Sequence, residues 1–411
     1  MKQNPHTIQP GSSPLDSPTA PFFTFQKATA FHAAFKRGAA LLLALALLAS
    51  LSACGSFNGS KDTQDGGEDG GKTGFRIVTD ALGREVELPE TVTAIVPLGN
   101  TPRMIAYLGL ADKVVGISGP GADKVTPLTA YAYVNKDRWA KLPVVGTDAF
   151  GNVDYYPEVI LSVKPDVIFC TYPEDMVRDL ESKTGLPVVS VSQGTLFEKD
   201  YEQSLRILGQ ACGAGERAEV VISYIKDTLA DLQERTAHIP ARDKPSALSA
   251  AATFRGAHGI EGVRLKDPVL AAINANNAAQ AAASGNAASA EVDREQILAW
   301  NPAYIFCDYG GVALVKQDAA KNPDFYSQLD AFQNRRIYQY PSSTSYFSNV
   351  ELSLANCYFA GSQLYPKAFA DVDAEAKANE IVKFFLGADD YMSVLNQYGA
   401  SYGEVKFGDK R

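Results

Sequence analysis

Residues 157–170 read PEVILSVKPDVIFC, and a related stretch returns at residues 294–307 as REQILAWNPAYIFC. In register, the Glu, Ile, Leu, Pro, Phe and Cys positions coincide. Each copy predicts a short helix that ends near a proline, because the residue before proline is driven out of the α region. An apolar run typical of a buried strand follows. A helix followed by a strand is half of a βαβ unit, which predicts a parallel sheet.

The two copies lie 137 residues apart, which is too far for a solenoid repeat. The spacing predicts an α/β protein with two similar Rossmann-like lobes, each built on a mainly parallel sheet, with a ligand held between them. Between the copies, Ala218, Val221, Ile222 and Ile225 form an apolar stripe at helical spacing. This stripe predicts one long, rigid helix over residues 216–236, about 30 Å long, that joins the lobes.

The first 53 residues have the features of a secretory signal. Lys36 and Arg37 precede the apolar run of residues 38–51. A membrane-spanning helix needs about 20 apolar residues, so a permanent span is the weaker interpretation. Leu-Ser-Ala before Cys54 resembles a bacterial lipobox. The expectation is a bacterial lipoprotein signal peptide (1–53) and a lipidated Cys54 that alone anchors the protein outside the cytoplasm. The alternative is an ordinary signal with an incidental cysteine.

Four further segments are expected after the signal. Residues 54–74 are rich in glycine and polar side chains and predict a flexible tether, with a typical reach of about 25 Å. An N-terminal lobe is expected over 75–199, a helical linker over 200–245, and a C-terminal lobe with terminal helices over 246–411. Within that second lobe, the Ala/Asn-rich residues 271–290 predict a helix plus a polar loop, and 374–386 predict a terminal helix.

Charge and composition restrict the function. The formal charge is −9, and removal of residues 1–53, with four basic side chains and one acidic, makes it −12. An acidic body disfavours nucleic acid as a partner, because that binding depends on Lys and Arg at phosphates. Only His238 and His258 follow residue 53, which excludes a multi-histidine metal cage. Cys170 and Cys307 end the repeats and read as small buried hydrophobes. One disulfide is possible, but the sequence does not pair the cysteines.

Candidate ligand residues of the first lobe follow a predicted strand over 93–98. Strand-to-helix turns of a parallel sheet lie at its ligand-facing edge, which places Asn100, Thr101 and Arg103 there. Arg103 is a candidate partner for a ligand carboxylate, and a solvated helix-surface arginine is the alternative. Tyr131 and Tyr133 are expected on one side of a loop, where they would stack on a ligand or coordinate iron. The alternative is that they pack the loop.

Candidate residues of the second lobe follow three of its predicted strands. Arg255 and His258 lie in a glycine-containing turn and offer a cation and a possible metal ligand. Tyr309 precedes a Gly-Gly pair, and Tyr346 ends a hydroxyl-rich loop. For each, the alternative is an ordinary turn or solvated loop. Because the protein is acidic, an anionic ligand would need local cations, and topology selects Arg103 and Arg255.

Several stretches together carry a resemblance to a known family. They are VTDALGREV (78–86), residues 94–109 and 114–116, both repeats, FYSQLDAFQN (325–334) and LYP (364–366), with the lipobox before them. From Phe75 to about Gly387 the chain resembles substrate-binding lipoproteins of ABC importers, specifically the class III periplasmic binding proteins for ferric siderophores, haem and vitamin B12. The resemblance implies two α/β lobes joined by a long helix, with ligand in the cleft and little hinge motion.

The resemblance also implies partners and roles. In the family, one glutamate on each lobe meets arginines of the permease, and by position these are Glu158 and Glu295. Both open a predicted helix, where the dipole favours a carboxylate, and helix-start glutamates without a partner are the alternative. A monomeric receptor is expected, which delivers a metal chelate to a permease and its ATPase and holds no permanent cofactor or metal.

An enzyme is the weaker interpretation of the sequence, which has no G-x-S-x-G, P-loop or H-E-x-x-H motif. The remaining alternative is a lipid-anchored sensor or adhesin that uses the same fold without transport.

Overall fold

The repeated stretches lie at the centres of two parallel sheets. The computed structural model describes residues 74–119, 125–148, 153–254, 256–283, 285, 287–344 and 347–408. The predicted signal, the lipidated Cys54 and nearly all of the tether therefore lie outside the described residues, as do Arg255 and Tyr346. Within the described ranges, no helix combines the length and the apolar character needed to cross a bilayer.

The strands of the first half form a hairpin and two short sheets. They are β1 (Phe75–Thr79), β2 (Glu85–Pro89), β3 (Ile95–Pro97), β4 (Ile117–Ser118), β5 (Val144–Thr147), β6 (Asp154–Tyr155), β7 (Val167–Cys170) and β8 (Val188–Ser190). One sheet has the order β3-β7-β8 and is wholly parallel. In the other, β4 and β5 are parallel and β6 is antiparallel. A parallel bridge from Ile95 to Val114 connects the two sheets.

The helices of the first half pack on these strands. They are α1 (Thr101–Tyr107), α2 (Ala130–Val134), α3 (Lys136–Trp139), α4 (Pro157–Ser162), α5 (Glu174–Thr184), α6 (Lys199–Cys212) and α7 (Gly215–Ala237). For example, α4 packs on β5 and α5 on β8. At 23 residues, α7 confirms the long helix predicted from the apolar stripe.

The second half repeats the arrangement. Its strands are β9 (Ser246–Ala250), β10 (Gly262–Arg264), β11 (Asn276–Asn277), β12 (Ser289–Glu291), β13 (Tyr304–Asp308), β14 (Ile337–Tyr340) and β15 (Gly403–Glu404). The main sheet has the order β11-β9-β13-β14-β15, and only β15 is antiparallel. The helices are α8 (Pro268–Ala272), α9 (Arg294–Trp300), α10 (Tyr309–Lys321), α11 (Pro323–Tyr326), α12 (Asp330–Gln333), α13 (Val350–Leu364), α14 (Ala374–Leu386) and α15 (Tyr391–Tyr398).

The two repeats have the same local structure. In each, a short helix (α4 or α9) leads to a central strand (β7 or β13). The residue before the proline, Lys164 or Asn301, has a positive φ of 47° or 36°. This left-handed residue stops the helix and redirects the chain into the strand. Cys170 and Cys307 are fully buried, and burial raises the pKa of both thiols to about 12.

One continuous hydrophobic core runs through both halves. It contains side chains of α1, α7, α13 and α14 together, for example Met104, Val221, Leu354 and Phe385. The described residues accordingly form one compact unit. The predicted fold class is confirmed, whereas the lobe boundaries 75–199, 200–245 and 246–411 stay predictions.

The helix expected within residues 271–290 is wrong. Apart from the end of α8, the described part of this segment holds β11, a 3₁₀ turn at Gln280–Ala282 and β12. Alanine favours a helix intrinsically, but tertiary pairing overrides that weak preference. Asn276 and Asn277 pair with Ser246 and Ala247 of β9, and β12 pairs with β10.

Candidate functional site

The strand ends of the first half are held together by Asp148, which follows β5. Its carboxylate accepts hydrogen bonds from the Gly99 amide (2.8 Å) and the Tyr172 hydroxyl (2.8 Å). Gly99 has a φ of +64°, and a Cβ there would overlap the hydroxyl of Thr171. The Asn100 amide donates to that same hydroxyl over 3.1 Å. Residues that follow β3, β5 and β7 thus meet at one edge.

The predicted side chains in this turn bond to the protein itself. The Asn100 amide nitrogen donates to the Gln193 carbonyl (2.9 Å), and the Thr101 hydroxyl donates to the Leu98 carbonyl (2.8 Å). Both residues are buried. Their contacts fix the shape of the turn, and whether they also contact a ligand stays a prediction.

Arg103 is buried and does not lie on the solvated helix surface, which was the alternative expectation for this residue. The residue is 1% exposed. Its guanidinium donates to Oδ1 of Asn100 (2.9 Å) and to Oδ1 of Asn349 (2.7 Å), and it lies 4.7 Å above the ring of Tyr131. A ligand would therefore have to compete with these partners or add to them.

Asn349 connects the two halves from the start of α13. Its amide nitrogen donates to the carbonyls of Leu128 (2.9 Å) and Ser342 (2.8 Å), while its oxygen accepts from Arg103. Leu128 precedes α2, and Ser342 follows β14. The strand ends of the two halves consequently face each other across this contact.

Glu351 places a second charge near Arg103. It is fully buried and accepts a hydrogen bond from the Tyr107 hydroxyl. Burial raises the pKa of the Glu351 carboxyl, although the Arg103 guanidinium opposes that shift. The contact between the halves therefore contains one buried arginine and one buried acid.

Tyr131 and Tyr133 do not lie side by side. They belong to α2, and helical residues two apart point to different faces. Tyr131 packs edge-on against Trp139, whereas Tyr133 meets Tyr391 and has the Lys136 ammonium 3.9 Å above its ring. The expectation of two same-side tyrosines is wrong for this reason. The cavity beside Tyr131 measures about 20 Å³, room for about one water molecule.

The strand ends of the second half are held by Asp308, which also caps α10. Its Oδ1 accepts from the Gly310 amide (3.2 Å) and the Ser342 hydroxyl, and its Oδ2 from the Thr253 hydroxyl (3.3 Å). Arg264 reaches the same carboxylate over 3.4 Å and donates to the Thr344 hydroxyl over 2.9 Å. Asp308 thus plays the part that Asp148 plays in the first half.

His258 has a partner at each ring nitrogen. Nδ1 lies 2.8 Å from a carboxylate oxygen of Glu291, and Nε2 lies 2.7 Å from the Phe254 carbonyl. The ring also stacks on Phe254 at 4.0 Å. Both ring nitrogens therefore already have a partner within the protein, with which a metal would have to compete.

Tyr309 begins α10 and points to the C-terminal helix. Its hydroxyl donates to the Tyr398 carbonyl over 2.9 Å. Within the described residues, no group of three or more His, Cys, Asp or Glu side chains is arranged to hold a metal ion.

Glu158 and Glu295 are exposed and open α4 and α9. Neither forms a hydrogen bond or an ion pair with another described residue. Sequence reasoning found these two, but it missed Asp148, Asp308 and Asn349. Asp148 directly follows β5 and Asp308 ends β13, and that position at a strand end was the available signal. Asn349 carried no signal, because its partners are distant in sequence.

Comparisons with known proteins establish the family. Residues 99–344 match the family described as Periplasmic binding protein, and this chain belongs to that family. A Bacillus subtilis relative named ABC transporter substrate-binding lipoprotein YvrC is 26% identical over 308 residues, which cover 73% of this chain and 87% of that protein. The Haemophilus influenzae molybdate-binding protein MolA is 23% identical over 335 residues, 75% of this chain and 90% of its own length.

Solved structures agree on the fold. The crystal structure of a periplasmic solute-binding protein from Veillonella parvula has a TM-score of 0.63 at 22% identity, and the match covers 79% of this chain and 96% of that one. The structure of MolA with molybdate has a TM-score of 0.60 at 20% identity, over 76% and 98%.

The family defines the general function. This is a periplasmic solute-binding protein of an ABC transporter, with a permease and an ATPase as partners, and not an enzyme. It carries a transported ligand rather than a permanent cofactor.

Proposed function

We propose that this protein is a lipid-anchored receptor that captures a metal chelate (a ferric siderophore, haem or corrinoid) between its two lobes and delivers it to an ABC permease. The observation that carries the proposal is the meeting of two sets of strand ends. Asp148 organises one set and Asp308 the other, and the Arg103–Asn349 contact joins them. In α/β proteins, ligands bind outside the carboxyl ends of parallel strands.

The ligand class rests on the resemblance and on one relative. MolA is named for a metal oxyanion, which places a metal-containing solute within the range of relatives. The proposed contacts with the ligand are Asn100, Thr101, Arg103, Arg255, His258, Tyr309 and Tyr346. Tyr131 and Tyr133 are proposed to contact it beside them. The buried residues of this set that the structure describes already form hydrogen bonds within the protein. We therefore expect the ligand to be recognised largely by exposed groups of the turns.

Recovery of the natural ligand tests this proposal. The protein would be purified from its own cells without denaturation, and the co-purifying molecule would be analysed by absorption spectrum, mass and metal content. A chelated metal at about one equivalent supports the proposal. A metal-free solute contradicts the ligand class, and recovery of molybdate would move the protein to the oxyanion binders.

The anchor is proposed to be Cys54. Two or more acyl chains hold a protein on a membrane stably, and YvrC is named a lipoprotein. Cys54→Ser should release the protein into the medium or leave an uncleaved precursor. A cleaved Cys54→Ser protein that stays with the membrane contradicts a lipid anchor at this residue.

Docking is proposed to use Glu158 and Glu295. Each is the second residue of a short helix that follows an antiparallel strand. Val144 of β5 pairs with Ile117, and the neighbouring Ser118 hydroxyl donates to the Pro97 carbonyl (3.3 Å) at the end of β3. The Tyr156 amide, just before α4, donates to the carbonyl of Val145 (2.9 Å). Glu158 therefore lies two residues beyond a backbone contact with β5, at the exposed start of α4.

Glu295 has the corresponding position in the second half. Glu291 of β12 pairs with Gly262, whose carbonyl accepts from the Ala252 amide (3.0 Å) just past the end of β9. Glu295 lies four residues after Glu291, as the second residue of α9. The two carboxylates are thus exposed at equivalent positions of the two repeats, which supports a docking surface that uses both halves.

A further inference from the structure

The two repeats present their exposed glutamates in different surroundings. Residues 157–162 and 294–299 are equivalent in register, and each glutamate is the second residue of its helix. Both helices follow an antiparallel edge strand, β6 or β12. Since the backbone is equivalent, any difference in what the two faces bind comes from their side chains.

The face around Glu158 is apolar. Val153, Tyr156 and Leu161 are exposed by 40%, 36% and 43%. Leu161 lies three residues after Glu158 and so shares its helical face, while Tyr156 directly precedes the helix. Val144, 36% exposed, precedes Val145, whose carbonyl accepts from the Tyr156 amide. We call Val144, Val153, Tyr156, Glu158 and Leu161 the N-lobe face.

The face around Glu295 is acidic. The positions equivalent to Val153 and Tyr156 hold Ala290 and Asp293, and no large apolar side chain within residues 287–301 is exposed. Glu291, Asp293 and Glu295 are all exposed, and we call them the C-lobe face, although Glu291 also contacts Nδ1 of His258 over 2.8 Å. The neighbouring Arg294 is engaged elsewhere, because its guanidinium pairs with Glu261 and Asp318, each over 2.7 Å.

We propose that docking on the permease is polarised: the N-lobe face packs on an apolar permease surface with one basic group, and the C-lobe face meets a strongly basic one. This rests on the proposed function, which supplies the permease as the occupant. Clustered exposed apolar side chains mark interaction sites, and the exposed carboxylates of Asp293 and Glu295 are complementary to cations.

The two faces should differ in how strongly salt weakens their binding to the permease. Exposed charge pairs are screened at high ionic strength, whereas burial of apolar area is not. The probe is the protein's own ABC permease, purified in lipid nanodiscs, and binding is measured at 50 and 500 mM NaCl. Val153→Ser with Leu161→Ser should weaken binding about tenfold at both salt concentrations. Asp293→Asn should weaken it at 50 mM only.

The matched control is Leu314→Ser on α10, whose leucine is 40% exposed and outside both faces. It should bind the permease like the wild type. If the Val153→Ser, Leu161→Ser variant binds like this control, or if both faces show the same salt dependence, the polarity is overturned and two-sided docking remains. A wild-type protein that binds no permease at either salt concentration overturns the proposed function itself, and with it the polarity.

Discussion

Nη2 of Arg103 lies 2.7 Å from Oδ1 of Asn349, although 246 residues separate them in the chain. Arg103 belongs to α1, the first helix of the first lobe, and Asn349 directly precedes α13 of the second lobe. A buried guanidinium is costly unless its donors are satisfied, so Asn349 stabilises both the cation and the contact between the lobes.

Asn349→Ala should lower the free energy of unfolding by about 2–4 kcal/mol. The change removes an acceptor for Arg103 and donors to the Leu128 and Ser342 carbonyls. Urea unfolding followed by circular dichroism measures it. The control is Asn334→Ala, because Asn334 is exposed and bonds only to nearby Asp330. A loss for Asn349→Ala no larger than the control's would show that this contact contributes little.

Gly99→Ala should destabilise the protein more than Gly83→Ala. Both glycines have a positive φ, 64° and 77°, which disfavours alanine by about 1–2 kcal/mol. Only at Gly99 would the added Cβ also overlap Thr171, since nothing lies within 4 Å at Gly83. Overpacking adds about 1–3 kcal/mol. Equal shifts in thermal midpoint for the two variants would mean that the turn after β3 relaxes freely.

Arg255→Ala should weaken binding of the recovered ligand tenfold to a hundredfold, the effect of about 1.5–3 kcal/mol from one charge-assisted hydrogen bond. The loss should be larger at low salt. Calorimetric titration measures it, with Arg242→Ala as the control because that side chain is 85% exposed. Arg103→Ala is a poor binding probe, because it also breaks the contact with Asn349. Wild-type affinity in Arg255→Ala would place the cation of the site elsewhere.

Charge reversal of Glu158 and Glu295 together should stop uptake of the ligand into cells while leaving its affinity for the isolated protein near wild type. The reason is that both carboxylates are exposed and form no contact with the described ligand-site residues. Glu216→Lys with Glu234→Lys on α7 makes the same change of charge elsewhere and should transport normally. A large loss of ligand affinity in the Glu158, Glu295 variant would move these residues into the cleft.

Local patterns predicted much of the fold. The repeat, the stripe of Ala218 to Ile225 and the proline stops are readable because they depend on neighbours in the sequence. The site was predicted less well. Arg103 reads as a ligand cation because its position after β3 is visible, but its partner Asn349 is not. Tyr131 and Tyr133 were expected in a loop, but they lie in helix α2. Asp148 and Asp308 carry a weak signal, because a single acid at a strand end does not reveal its hydrogen-bond partners, most of which are distant in sequence.

The shared core has a consequence for how the chain reaches its folded state. The rings of Tyr107 and Phe385 are 4.8 Å apart, and Arg217 donates to the carbonyls of both Tyr107 and Phe384. The first lobe therefore lacks part of its interior until α14 has been synthesised. We expect a nascent chain without α14 to remain incompletely packed, a state that is compatible with export through a translocation channel before folding is complete.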